Sequence, residues 1–209
     1  MNRNTFQIKS WHIVLGVLLL WGGISYNRIV HTANNVHNKW ADLQSTYQRR
    51  LDLVNQIMPI VQTGAAQELA VFETLRDQAA ALSGNLKYDE FGQPMIPEGE
   101  KAQQLAQQLQ AFDQALNNFV VYLADNPDIV SKDLFEDFMI QIEGSENRIN
   151  VARHDYNEAV TNYRNTVQSF PNNIVAALSG FNVNKFPYFQ ADQGAQNAPQ
   201  IVFPTPSYP

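Results

Sequence analysis

Apolar side chains recur at spacings built from three and four residues in four stretches of the chain, the pattern of helices that each bury one face. In the first stretch, from Ile29, the stripe is Val36, Trp40, Leu43, Tyr47, Val54, Ile57 and Val61, with Arg50 holding one position. Pro59 lies inside it and removes a donor to the Asn55 carbonyl, which predicts a kink or an early end before the turn at Thr63 and Gly64. A second helix is predicted from Ala65 to Leu82, with Leu69, Phe72, Leu75, Ala79 and Leu82 inward. Gly92, Pro94, Pro97 and Gly99 then mark a surface loop over residues 85–100. A third helix starts near Glu98, carries Ala102, Leu105, Leu109, Phe112, Leu116, Phe119 and Leu123, and stops at Asn126-Pro127. The fourth and longest runs from an N-cap at Ser131 to Ser169, on a stripe of Phe135, Phe138, Ile142, Ile149, Tyr156, Val160, Tyr163, Val167 and Phe170.

A different pattern precedes these helices. Residues 10–27 contain no Lys, Arg, Asp or Glu, and Ile13 to Trp21 read IVLGVLLLW, apolar all round. Such a helix suits a lipid bilayer, which needs about 20 apolar residues to span. Trp11 stands at one edge and Trp21 and Tyr26 toward the other, where amphipathic rings settle among headgroups. A cleaved signal peptide is the competing reading, but no A-x-A site follows and periodic helix resumes at once, so a retained anchor is expected. Arg3 and Lys9 face Arg28 and Lys39 across the span, and orientation stays open, leaning toward an extracytoplasmic bundle because the soluble part is rich in Gln and Asn.

After the fourth helix, Pro171 enforces a stop, and Asn172 or Asn173 can cap a short amphipathic segment that ends near Gly180. In an up-down-up-down bundle this segment returns to the membrane, making Ile174, Val175, Leu178 and Phe181 candidates for the lipid interface, with a simple bundle cap as the equal alternative. Residues 182–209 are rich in proline and aromatics and predict an extended tail, in which Phe189, Phe203 and Tyr208 are candidate contacts to a neighbouring subunit. The expected organisation is therefore an anchor over 1–28, a bundle over 29–170, a short helix over 171–181 and a tail over 182–209.

Charged groups on buried stripes need partners. Arg50 lies 22 residues beyond Arg28 and Glu146 lies 24 before Phe170, so antiparallel first and fourth helices bring both to one height. An Arg50–Glu146 ion pair is expected, with Asn147, Arg148 and Arg153 in the same polar network, setting register more than stability.

Composition narrows the chemistry. Acidic residues number 20 against 14 basic ones, a net charge of -6, and no basic stripe follows a phosphate backbone, which argues against nucleic acid. The absence of cysteine removes disulfides, thiolate metal sites and cysteine nucleophiles. His12, His31, His37 and His154 form no metal-ligand spacing, and no phosphate loop, dinucleotide fingerprint or nucleophile elbow occurs. No enzyme activity and no cofactor are expected.

The chain resembles the LemA family of bacterial membrane proteins. The resemblance rests on YNRIV from Tyr26, on Val36 and Trp40, on RRLDLV from Arg49, on ENRINVARHDYNEAV from Glu146, on FPNNIVAALSGF from Phe170 and on PYF from Pro187. Asn55 and Gln56 stand where the family usually has Pro-Asn, and the loop with Pro94 and Pro97 and the Pro-rich tail are peculiar to this chain. The resemblance implies an N-terminal anchor and an all-α antiparallel four-helix bundle in the bacterial inner membrane. It associates the chain with membrane organisation, envelope stress and neighbouring membrane zinc metalloproteases. Three functional expectations remain open: a homo-oligomeric scaffold in the bilayer, an adaptor of a membrane protease or other envelope protein, and a ligand-sensing bundle.

Overall fold

The computed structural model describes residues 10–64 and 69–189, and these are helical throughout apart from their connections. Helix α1 runs unbroken from Ser10 to Gly64, 55 residues, or about 80 Å at 1.5 Å per residue. The expected kink is absent as a break: α1 continues through Pro59 for one more turn and ends at Gly64. Helices α2 (Leu69–Asn85), α3 (Glu100–Asp125) and α4 (Lys132–Gln168) follow, and α5 spans Asn172–Ser179.

The caps explain the boundaries. Ser131 sits in extended backbone and its hydroxyl accepts the Leu134 N–H at 3.3 Å, so α4 begins where the sequence pattern placed it. Gly180 closes α5 in the left-handed region, φ 76°, while the Phe181 N–H donates back to the Ala176 carbonyl. Pro171, not an asparagine, takes the N-cap of α5, and the Asn172 amide instead donates to the Ser169 hydroxyl. The loop between α2 and α3 folds on itself: the Asp89 carboxylate accepts the N–H groups of Phe91 and Gln93, and Tyr88 bridges Pro94.

Helices α1 and α4 pack antiparallel along their length, and the consecutive α2 and α3 form a shorter hairpin. The shorter hairpin covers only the half of α1 remote from the apolar span: the loop preceding α3 returns to the height of Trp40, whose indole N–H donates to the Met95 carbonyl at 2.9 Å. Below Trp40 the place of α2 and α3 is taken by α5 and residues 181–189. The single core thus runs from Ile29 and Val36 on α1, with Tyr163 and Phe186 beside them, to Leu75, Leu116, Phe119 and Phe138 at the far end. Each fully buried Leu or Phe there contributes about 1.5–3 kcal/mol over leaving it in water.

The span itself stays bare. Ile13, Val14, Val17, Leu18, Leu19, Leu20 and Ile24 are all exposed, and the Trp11–Val61 stretch of α1 contains a window long and apolar enough to cross a membrane. A soluble core helix would have buried these side chains, and this one buries few of them.

Candidate functional site

The polar groups on the buried seams converge at mid-height of the bundle. On α1, Arg50 is placed inward by the same spacing that buries Tyr47 and Val54. One guanidinium nitrogen lies 2.7 Å from the Glu146 carboxylate on α4 and 3.1 Å from the Asp113 carboxylate on α3. Arg153, two turns along α4, reaches the other Asp113 oxygen at 3.8 Å. Three helices are thus tied by two cations alternating with two carboxylates, and the local charge cancels. Neither Arg50 contact has hydrogen-bond alignment: Nη1 is held to both carboxylates by charge alone, and the buried Nε has no hydrogen-bond partner.

Arg153 does more than pair. Its Nε–H donates to the Tyr47 hydroxyl at 2.8 Å, Nη2 donates to the same oxygen, and the guanidinium lies over the rings of Tyr47 and Phe189 at 5.6 and 5.4 Å. Burial pushes the Tyr47 hydroxyl well above its ordinary range, so it stays protonated and serves as an acceptor. Burial also raises the Asp113 carboxyl, and the Glu146 charge adds to this, against the opposing pull of Arg50 and Arg153.

Below this network the segment 181–189 is clasped along α4. Asn157 exchanges two hydrogen bonds of 2.8 Å with the Phe189 backbone, its amide donating to the carbonyl and its oxygen accepting the N–H. The hydroxyls of Tyr156 and Tyr163 donate to the carbonyls of Pro187 and Asn182, and Arg164 donates to that of Phe186 while lying 4.3 Å over the Tyr188 ring. Phe186 is buried between His37 and Tyr163, and Phe189 packs on Trp40 and Tyr47. Burial, with repulsion from Lys185 second, lowers the His37 pKa below its ordinary 6.5.

Several expectations from the pattern need amending. Asn147 and Arg148 are exposed and lie outside the network, because both sit on the solvent side of α4; Arg148 donates to the Gly144 carbonyl and lines an open groove with Arg49 and Asp52. Phe189, expected to meet a neighbouring subunit, is committed to its own chain by the Asn157 clasp. Residues 182–189 accordingly belong with the bundle and not with a free tail. Phe203 and Tyr208 lie outside the described residues. Phe170, assigned to the buried stripe, is 79% exposed because α4 ends at Gln168 and the chain turns before it reaches the seam. In α5, Val175 faces the core while Ile174 and Leu178 face out, and Phe181 is half-buried against the Tyr26 ring at 5.7 Å. Trp11 is exposed at the start of the span and Trp21 packs on the core.

Asp113 was not singled out by the sequence pattern, since it flanks the apolar stripe of α3 and carboxylates there are ordinarily solvated. Gln44 was missed too: it is 1% exposed with neither amide atom paired. Among the described residues no group of three or more His, Cys, Asp or Glu could hold a metal ion.

The family model described as "LemA family" matches residues 39–203. Two curated proteins of Paramagnetospirillum magneticum, Magnetosome protein MamQ 2 and Magnetosome protein MamQ 1, are each 25% identical over 190 residues, covering 85% of this chain and 68% of theirs.

Proposed function

Because the chain belongs to the LemA family, we propose that it is a membrane-anchored scaffold, assembling with copies of itself in a bacterial membrane and organising envelope proteins there. The observation that carries this reading is the continuity of α1: one helix is bare and apolar over its first part and forms a long rod of the bundle over the rest. A protein built this way holds a rigid body at a set distance from a bilayer. The mid-height network supports the same reading, since its two cations and two carboxylates lie within ion-pair distance of one another across three helices, as a register lock requires. The groove lined by Arg148 contains neither Arg50 nor Arg153, which favours a scaffold over a ligand-sensing bundle. Relatives that are magnetosome proteins also support work at a membrane.

The test is size. Extracted in mild detergent and weighed by light scattering with the detergent subtracted, the full chain is expected at a multiple of its 23.7 kDa. A particle containing one copy and no other protein would sink the scaffold reading.

A further inference from the structure

From Phe170 to Asn184 the chain carries no Lys, Arg, Asp or Glu. Within this uncharged stretch α5 lies against both α1 and α4, and Asn172, Val175 and Ala176 are buried in that contact. The opposite side carries exposed apolar residues flanked by Asn173 and Ser179: Leu178 is 85% exposed and Ile174 45%, and Phe170, just ahead of α5, is 79% exposed. A short helix that only capped the bundle would show water a polar outer face.

The height of this face is fixed by its neighbours on α1. The ring of Phe181 meets Tyr26, Trp21 packs against the same core, and Ser25 is buried, although all three α1 residues belong to the end of the apolar span. α5 and Phe181 just beyond it therefore meet α1 at the end of the span, where Ile24 and Leu20 are themselves exposed. At this level a spanning helix passes through the headgroups.

We propose that α5 is an interfacial helix, with Phe170, Ile174 and Leu178 inserted into the lipid at the headgroup–acyl boundary, so that the bundle sits on the bilayer by its base. This rests on reading residues 11–26 as the span. The lack of charge over residues 170–184 makes apolar burial, not attraction to anionic lipid, the source of the contact. Lipid is favoured over a second copy of the chain because the face adjoins the span and meets the bilayer in every copy.

The chain lacks cysteine, so single sites can be labelled cleanly. Val14→Cys, Leu178→Cys and Val151→Cys, each carrying a polarity-sensitive fluorophore, are compared in full-length protein in phosphatidylcholine vesicles containing shallow nitroxide lipids. Val14 reports the span, and Val151, on the exposed side of α4, reports the upper bundle. The expected result is a blue shift and loss of fluorescence at Leu178, at a depth of about 5–10 Å, with quenching at Val14 and none at Val151. Quenching at Val14 with Leu178 as bright as Val151 overturns the interfacial helix and leaves the span standing. A Leu178→Cys variant that crosslinks to itself without quenching assigns the face to a second copy and also overturns it. If Val14 is not quenched, the span fails and the proposal falls with it.

Discussion

Arg50 is almost wholly withdrawn from water, while its partners Asp113 and Glu146 keep 28% and 47% of their side-chain surface exposed. Removing the cation leaves two carboxylates facing each other, and the loss is dominated by that repulsion and by the one Asp113 oxygen that is shut off from water. Arg50→Ala is expected to cost on the order of 3 kcal/mol, read as a lower thermal midpoint of the detergent-solubilised chain. Adding Asp113→Asn should recover part of it, and strict additivity of the two changes would show that they do not share a network. Gln44 offers the opposite sign. Its amide is buried without a partner, so Gln44→Met, of similar length, is expected to stabilise by about 1–3 kcal/mol, the penalty of an unsatisfied buried polar group. An unchanged or lower midpoint would mean that Gln44 is satisfied in solution.

Between residues and the whole lies the clasp of 181–189 on α4. His37 stands edge-on to Phe186 with its pKa lowered by burial and by Lys185, so the undocked segment leaves an imidazole that takes a proton first. Docking stability is therefore complete above the ordinary 6.5 and is lost as pH falls through the lowered value. Amide exchange at Phe186, Tyr188 and Phe189, corrected for intrinsic rate, should speed up on acidification from pH about 7.5 to about 5.5, and His37→Asn should flatten that dependence. Equal acceleration in the variant would discard His37 as the cause. The helices were legible because a four-three spacing says which face is buried, and the Arg50–Glu146 pair because counting residues along antiparallel rods fixes height. The clasp was not legible: a Pro- and aromatic-rich segment has no period, and its hydrogen bonds run from scattered side chains to its backbone. Asp113 flanks the α3 stripe, and spacing within one helix does not say which neighbouring side chains will lie beside that flank.

Taken whole, the molecule is asymmetric along its length. The half remote from the span is covered by the α2–α3 hairpin, and the half nearer the span by α5 and the clasped segment, with Trp40 at the join between Met95 and Phe189. No connecting loop separates the span from the bundle; α1 passes through both. At that passage lies the Gly22–Gly23 pair, where neither residue has a side chain to pack. Tyr26 against Phe181 and the seating of Trp21 act as a stay on this point, as rigging steadies a mast at the deck. A tilt of ~10° in the span would swing the far tip of α1 sideways by about 10 Å, given ~1.5 Å of rise per residue. Any change in bilayer thickness or curvature that leans the buried part is thereby magnified into a sweep at the opposite end.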